Sequence, residues 1–266
     1  MKTTIFVYSG TGTSLAVAKK IAIELGNTEL VSIAKYSKQD IVFTESERVG
    51  FIFPCNFGEV PHIVRDFIEK VQLHNAQYIF SIITAGGNAG VGLKILNKLL
   101  EKKGETLNYG RSLVIASNYI VGWYNGIANS RKAKTGDTIN ESNKKIMCFS
   151  QDIKGNKNYV EKGSNIGYVI PHLISSNKII RDSRPWDRDF SAGEKCDGCG
   201  ICTKVCPVQN IKLTDKKPEY MHHCLRCMAC LQYCPQGSIK YKGKYIKRAR
   251  YHYPDISVNE ISEFNL

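Results

Sequence analysis

The chain has 266 residues, of which 42% are hydrophobic and 23% are charged, close to the averages of globular proteins. This composition excludes a disordered, collagen-like or coiled-coil protein, and the length suits two domains of ordinary size. The formal net charge of +13 is typical of proteins that bind nucleic acid, an acidic partner or an anionic membrane surface. No apolar run approaches the roughly 18 residues of a membrane helix, and the N-terminus lacks a signal-peptide core. We therefore expect a cytoplasmic, soluble protein without a membrane span.

The first 120 residues alternate between short apolar runs and amphipathic stretches. This alternation predicts an α/β fold, with a parallel five-stranded sheet and helices on both of its faces. Ligands of such sheets bind beyond the carboxyl ends of the strands, so the loops at 8–14, 54–60 and 84–91 are the places to expect chemistry. The strand patterns cover residues 3–8, 29–36, 48–55, 77–84 and 111–117, and the helix patterns cover 13–25, 61–71 and 92–103.

The rest of the chain divides by composition. Residues 120–163 are polar and rich in Lys and Asn, with one helix-like run at 139–153, and they either close the sheet domain or form a lid. Residues 164–189 have the Ser, Asn, Pro and charge content of a linker. We therefore expect a first domain at 1–163, a cysteine-rich domain at 190–250 and a polar C-terminal tail at 251–266.

Eight of the ten cysteines crowd into one short stretch of the chain. A cytoplasmic protein seldom uses cysteines in disulfides, so the crowding points to a metal or cluster site. The eight form two copies of the spacing C-x2-C-x2-C-x3-C, and each copy is followed by proline. The copies are Cys196, Cys199, Cys202 and Cys206, and Cys224, Cys227, Cys230 and Cys234.

This spacing is typical of paired iron–sulfur clusters. Three thiolates spaced by three residues can wrap three corners of one cube, and the fourth cysteine, carried past a turn, reaches the other cube. Zinc is the alternative, but its sites use two C-x2-C pairs separated by a spacer. His222 and His223 are expected to be solvated turn residues, because the eight ligand positions are already filled. The expected ligation is crossed, with Cys196, Cys199, Cys202 and Cys234 on one cluster and Cys224, Cys227, Cys230 and Cys206 on the other.

Residues 190–245 resemble a bacterial-type ferredoxin with two 4Fe-4S clusters. The resemblance covers the whole cysteine-rich stretch, and all eight ligand positions match. It implies a small α+β domain whose cofactors are two 4Fe-4S clusters.

A loop rich in glycine and hydroxyl side chains joins the first predicted strand to the first predicted helix. Hydroxyls and the free N–H groups of a helix N-terminus can donate to phosphate oxygens, and glycine lets the backbone come close. The loop lacks the lysine of a triphosphate-binding loop, and Leu15 breaks the G-x-G-x-x-G pattern of dinucleotide folds, so it suits a terminal monophosphate. A turn without a ligand is the alternative. The loop consists of Ser9, Gly10, Thr11, Gly12, Thr13 and Ser14.

The predicted sheet domain resembles a flavodoxin, which binds FMN, most strongly in this glycine loop. The resemblance implies that residues 9–14 hold the FMN phosphate and that two further loops flank the isoalloxazine. Phe57 stands where flavodoxins often have a stacking aromatic, and Gly58 where a peptide reorients near flavin N5. Because Ala85 is not aromatic, the second wall of the flavin site would be missing or come from Tyr119, Trp123 or Tyr124. The flanking residues are Pro54, Cys55, Asn56, Phe57 and Gly58 in one loop, and Thr84, Ala85, Gly86, Gly87 and Asn88 in the other.

A basic segment at 240–250 carries much of the excess positive charge. It is either a solvated tail or a docking patch for an acidic redox partner, whose opposite charge speeds encounter more than it tightens binding. Tyrosines interleave with these cations, as they do in RNA-binding proteins. No nucleic-acid motif accompanies them, so we expect no nucleic-acid partner.

Together these motifs predict a flavodoxin–ferredoxin fusion of the kind expected in an anaerobe. It would be an electron-transfer protein that relays electrons between two 4Fe-4S clusters and FMN, and onward to a redox partner protein. No acid–base pair or nucleophile is evident, so no catalytic residue is assigned. The alternative is an FMN-dependent oxidoreductase that reduces a small organic substrate with electrons fed by its ferredoxin domain. Ala85 and the unassigned residues 120–163 motivate this alternative, because they could shape a substrate pocket.

Overall fold

Apolar segments near the start of the chain form a central parallel sheet. The computed structural model describes residues 1–56, 58–121, 135–163 and 185–266. The strands follow the order β2-β1-β4-β6-β7-β8, all parallel, and the order of the first five is that of flavodoxin-like sheets. The expected parallel sheet is therefore confirmed, with a short sixth strand added. The strands are β1 (Thr3–Val7), β2 (Thr28–Ser32), β4 (Arg48–Pro54), β6 (Tyr78–Ala85), β7 (Tyr109–Val114) and β8 (Tyr159–Val160).

Helices cover both faces of this sheet. On one face, α1 (Thr13–Leu25) and α5 (Thr135–Lys154) share a hydrophobic core with β1 and β7. On the other face, α3 (His62–Lys70) and α4 (Gly92–Glu101) pack around the aromatic side chains of β1 and β4. A parallel sheet covered on both faces buries every side chain of β1, as its continuous apolar sequence predicts.

Most predicted elements differ from the observed ones by one or two residues at an end, and two strands differ by more. The strand expected at 29–36 ends at Ser32, and α2 (Ile33–Tyr36) follows it. The Ser32 hydroxyl accepts a hydrogen bond from the Lys35 N–H at 3.3 Å, an N-cap that begins this short helix. The strand expected at 111–117 begins earlier, at Tyr109. A separate small pair consists of β3 (Val42–Phe43) and β5 (Val71–Gln72).

The cysteine-rich segment folds as two related halves. A short helix lies within each half, and each helix begins after a residue with positive φ, Gly200 at 76° and Met228 at 63°. These helices are α6 (Ile201–Lys204) and α7 (Ala229–Gln232). The antiparallel strands are β9 (Phe190–Ala192), β12 (Ile239–Tyr241) and β13 (Lys244–Tyr245) in one sheet, and β10 (Ile211–Thr214) and β11 (Lys217–Tyr220) in a hairpin.

The C-terminal segment, expected to be a polar tail, is folded onto the sheet domain. It ends in α8 (Val258–Asn265), which begins at the N-cap Ser257. Tyr253, Ile256 and Ile261 are buried in the same core as α1. No helix in the described part of the chain is long and apolar enough to cross a membrane.

Candidate functional site

Four of the eight clustered cysteines line one cavity of the cysteine-rich domain. They are Cys206, Cys224, Cys227 and Cys230, which we name the second cysteine set. Tyr220 and Phe190 also border this cavity. In the described ranges, no three His, Cys, Asp or Glu side chains come close enough together to hold a single metal ion. The four thiols surround a space instead of converging on a point.

Cys206 is buried and the other three cysteines of the second set are half-buried, and burial disfavours the thiolate form. Burial raises the pKa of Cys224 to about 11, and it also raises the pKa of Cys227 and Cys230, with a further increase from neighbouring thiols. Backbone N–H groups point at two of the sulfurs. The Asn210 N–H donates to Cys206 Sγ at 3.2 Å, and the Arg226 N–H donates to Cys224 Sγ at 3.3 Å. Such donors suit cysteines whose charge is held by a cluster.

The remaining four cysteines form a first cysteine set nearer the surface: Cys196, Cys199, Cys202 and Cys234. Burial raises the pKa of Cys202 to about 11, and the Cys234, Cys196 and Cys199 thiols raise it further, so these four share one electrostatic environment. Cys199 is exposed, whereas Cys234 is buried and its Sγ accepts from the Ser238 N–H at 3.4 Å. The first set therefore presents one edge to solvent.

Tyr220 lies between the two sets. Burial raises the pKa of its phenol, and thiols of both sets, Cys230 and then Cys202, raise it further. Its hydroxyl is buried and has no hydrogen-bond partner within the described residues. An unpaired buried donor of this kind fits a group that the bare protein does not contain, such as a cluster sulfide.

The glycine loop of residues 9–14 lies at the carboxyl end of β1, as predicted. Ser9, Thr11 and Ser14 are buried. The backbone N–H groups from Ser9 to Leu15 donate to no acceptor in the described part of the chain. Buried N–H groups are rarely left unpaired, so this loop has the donors that an anion requires. The Ser14 hydroxyl is 2.9 Å from the Thr84 hydroxyl, which joins the loop to the end of β6.

The second cysteine set packs directly on the glycine loop, a contact that the sequence does not reveal. A methyl group added at Gly10 would lie 2.7 Å from Cys227 Cβ and 2.9 Å from the Cys227 carbonyl oxygen. The Asn118 side-chain amide spans the junction, donating to Thr11 Oγ1 at 2.9 Å and to the Cys227 carbonyl at 3.5 Å. The glycine at position 10 is thus required by the approach of Cys227.

The C-terminal segment covers the same loop from another direction. The Tyr253 N–H donates to the Thr11 carbonyl at 2.8 Å. Ile256 lies against Gly12, whose φ of 86° also favours glycine. The Asn265 side-chain amide donates to the Ser9 carbonyl at 3.2 Å. Both folded segments that follow the linker therefore meet the sheet domain at its glycine loop.

The loop after β4 contacts the loop after β6. The Cys55 N–H donates to the Thr84 carbonyl at 2.7 Å, and burial raises the pKa of the Cys55 thiol to about 11. The Gly58 carbonyl accepts from the Val91 N–H at 2.9 Å. Pro54 ends β4, and Asn56 forms an isolated bridge with Glu59. The predicted aromatic Phe57 lies outside the described residues, as do Trp123 and Tyr124.

The predicted residues after β6 form a tight turn. Ala85 ends the strand. Gly86 lies so close to Ser117 that a methyl group added at Gly86 would be 2.5 Å from Ser117 Cβ. Gly87 is half-buried, and the Asn88 side chain accepts from the Gly90 N–H at 2.7 Å. Tyr119, one candidate for the second wall of the flavin site, accepts a hydrogen bond from Arg226 at 2.7 Å in the cysteine-rich domain.

One polar network beside the second cysteine set escapes sequence reasoning. Asp187 is fully buried and accepts from the Asn210 side chain at 2.6 Å, and Asn210 in turn holds Cys206. His222 Nδ1 lies 2.9 Å from the Asp187 carboxylate, and the His222 side chain is otherwise exposed, as expected of a solvated turn residue. Asp187 stands in the predicted linker, where nothing in the local sequence signals burial.

Comparison with known protein families finds a match in the cysteine-rich segment. Residues 195–239 match the family described as 4Fe-4S dicluster domain. No curated protein matches the chain.

Solved structures resemble the sheet domain at low identity. A flavoprotein from Bacteroides uniformis ATCC 8492 is 22% identical with a TM-score of 0.37, over 44% of this chain and 92% of that one. An FMN-dependent NADH-azoreductase from Bacillus anthracis str. Ames Ancestor, in complex with FMN, is 9% identical with a TM-score of 0.40. The match covers 58% of this chain and 100% of the azoreductase. The two-electron reduced flavodoxin of Megasphaera elsdenii is 14% identical with a TM-score of 0.32. The match covers 54% of this chain and 98% of that flavodoxin.

The chain thus joins two different modules. Its sheet has the flavodoxin-like strand order, and its cysteine-rich segment matches the 4Fe-4S dicluster domains. The expected fusion of a flavodoxin-like domain with a ferredoxin-like domain is confirmed. Iron–sulfur domains of this kind serve electron transfer.

Proposed function

We propose that the protein transfers electrons between two 4Fe-4S clusters and FMN, and onward to a redox partner protein. The observation that carries this proposal is the contact of Cys227 with Gly10, which places the second cysteine set on the loop best suited to an FMN phosphate. FMN supplies one- or two-electron chemistry when bound, and each cluster supplies one-electron chemistry.

The cluster ligation that we propose is crossed. Its support is the cavity that Cys206 shares with Cys224, Cys227 and Cys230, and the electrostatic neighbourhood that Cys234 shares with Cys202. Each set contains three cysteines from one sequence copy and the last cysteine of the other copy. This pattern is the one known for two-cluster ferredoxins.

FMN would be held by the three loops at the carboxyl edge of the sheet. The unpaired N–H groups from Ser9 to Leu15 and the positive end of α1 would bind its phosphate. The loops at 54–58 and 84–88 would flank its ring system. The Ser14–Thr84 and Cys55–Thr84 hydrogen bonds hold these loops together.

The arrangement gives the two cysteine sets different roles. The second set contacts the sheet domain through Cys227, whereas Cys199 of the first set is exposed. The second cluster would therefore exchange electrons with the flavin, and the first cluster would exchange them with the partner. An inner site at the junction with the sheet domain and an outer site with an exposed cysteine suit a protein that passes electrons through itself.

An acidic partner protein is proposed from the charge of residues 240–250. Two arginines of this segment are used within the fold, since Arg248 donates to the Ile120 carbonyl and Arg250 contacts the Leu231 carbonyl. Lys242, Lys244 and Lys247 are exposed and available for encounter. Opposite charge would speed association without preventing release. Cysteines that hold clusters instead of disulfides would suit a reducing compartment such as the cytoplasm.

Cofactor content, counted in paired cysteine variants, tests this proposal. The wild-type chain, purified without oxygen, should contain about eight irons with matching sulfide and one FMN. Cys206→Ser should remove or alter the cluster held by the second copy, although Cys206 belongs to the first. Cys234→Ser, the matched variant, should do the reverse. The two clusters can be distinguished by their electron paramagnetic resonance signals after reduction.

Three results would contradict the proposal or redirect it. Unchanged iron in both variants would overturn the ligand assignment. If each variant affected the cluster of its own copy, ligation would not be crossed. A full set of cofactors together with catalytic turnover of a small electrophile such as a quinone would favour the oxidoreductase alternative over the carrier.

A further inference from the structure

Tyr8 presents a buried hydroxyl for which the described residues offer no ordinary partner. It follows β1 and directly precedes the glycine loop, and its backbone N–H is fixed by the Ile52 carbonyl at 3.0 Å. The side chain is 0% exposed, and no nitrogen or oxygen atom of the described residues pairs with the hydroxyl. Leaving such a donor unpaired costs stability, so its retention in a well-packed core calls for an acceptor.

The acceptor that the structure offers is sulfur. The hydroxyl interacts electrostatically with three thiols of the second cysteine set, first Cys227 and then Cys224 and Cys206. Leu225 and Cys227 pack against the core that contains Tyr8. The same junction brings Gly10, two residues further along, against Cys227 Cβ. The phenol therefore reaches from the sheet domain into the wall of the second cysteine set.

We propose that Tyr8 is a positioning residue of the second cluster, whose hydroxyl donates a hydrogen bond to the Cys227 sulfur. This inference rests on the proposed function, because it needs a cluster on Cys206, Cys224, Cys227 and Cys230. In the cluster, Cys227 is a thiolate and can only accept, so the phenol is the donor. A residue of the flavodoxin-like sheet thereby completes the surroundings of a ferredoxin cluster.

This hydrogen bond has a predictable effect on one reduction potential. A donor to a cluster sulfur stabilises the more negative, reduced form and raises the potential. Removing the donor should therefore shift the second cluster to a more negative potential. We expect the equilibrium constant for one-electron reduction of the second cluster to fall about tenfold, which corresponds to about 59 mV. The first cluster should not move, because the core that contains Tyr8 packs against Cys227 of the second cysteine set.

The test uses the full chain with its cofactors and the variant Tyr8→Phe. Each cluster potential is measured by an anaerobic redox titration followed by electron paramagnetic resonance, with the signals assigned from the Cys206 and Cys234 variants. The matched control is Tyr251→Phe, which removes another buried tyrosine hydroxyl, one that interacts with Thr13 instead of with a thiol. We expect a negative shift of the second cluster in Tyr8→Phe and no shift in Tyr251→Phe.

A second substitution keeps the test decisive if Tyr8→Phe fails to assemble. Replacing Tyr8 by 3-fluorotyrosine keeps the ring and makes the hydroxyl a stronger donor, so the second potential should rise. Unchanged potentials with full iron content, or equal shifts of both clusters, would overturn the role of Tyr8. Neither result would contradict the proposed function. Absence of a second cluster from the wild-type chain would instead overturn the proposed function, and this inference with it.

Discussion

At the scale of single residues, the junction between the two modules depends on the absence of a side chain at Gly10. A Cβ there would meet both the Cβ and the carbonyl oxygen of Cys227 at less than 3.0 Å, so one of the two loops would have to move. Overpacking of this kind in a tight core typically costs about 1–3 kcal/mol. We expect Gly10→Ala to lower the thermal unfolding temperature of the holoprotein and to perturb the electron paramagnetic resonance signal of the second cluster.

The matched control for this substitution is Gly155→Ala. Its added methyl would lie 3.5 Å from the nearest atom, the Gln151 carbonyl oxygen, at ordinary contact distance. The control should leave both the unfolding temperature and the cluster signals close to those of the wild type. If Gly10→Ala behaved like Gly155→Ala, the close packing of Cys227 on the glycine loop would be wrong.

At the level of single residues, the sequence identifies candidates where the chemistry is local. The cysteine spacing predicts candidate ligands, and the hydroxyl-rich turn predicts a candidate anion site, because both patterns lie in neighbouring residues. Tyr8, Asn118 and Asp187 gave no such signal. Their roles depend on contacts with residues far away in sequence, such as Asn118 with Cys227, and only the folded chain brings these partners together.

At the scale of elements, Asp152 joins α5 to the edge of the sheet. Its carboxylate accepts from the Tyr109 hydroxyl at 3.0 Å and from Lys157 at 3.0 Å. Partial burial raises the pKa of Asp152, but the hydrogen bonds from Lys157 and Tyr109 lower it by more, so the net pKa is below the usual value. A lowered pKa in the folded state means that this carboxylate stabilises the fold above its unfolded pKa of about 3.9.

Asp152→Asn should therefore lower the free energy of unfolding by about 0.5–1 kcal/mol at neutral pH. The difference from wild type should be constant from pH 8 to pH 6, because it is lost only as the pH falls through the lowered folded pKa. Thermal unfolding followed by circular dichroism measures it, with the exposed Asp40→Asn as control. A difference that halves between pH 8 and pH 6 would contradict this account.

The sequence predicted elements well where their own periodicity is strong. The bounds of α1 match the apolar spacing of residues 13–25, and α5 contains the run expected at 139–153. The two-residue strand β8 has no pattern of its own, because its pairing with Tyr109 and Gly110 stabilises it. In α8, the buried Ile261 stands among polar residues. The sequence of this helix therefore predicts a polar tail, and only the contacts of Ile261 in the fold show that it is packed.

At the scale of the whole molecule, the two modules and the C-terminal helix share one hydrophobic core. Val205, Ala229 and Tyr233 of the cysteine-rich domain are buried together with Leu15 and Ile21 of α1. The division into 1–163, 190–250 and a tail at 251–266 remains a prediction from composition. The shared core implies that the modules are held in one arrangement, which composition could not reveal.

The central claim is that electrons pass between the modules within one chain. Its most direct test is anaerobic flash photoreduction of the flavin in the purified holoprotein, followed by cluster absorbance at several protein concentrations. The account predicts that the clusters are reduced in a first-order step whose rate does not depend on protein concentration. A rate proportional to protein concentration, or a reduced flavin that leaves the cluster absorbance unchanged, would contradict it.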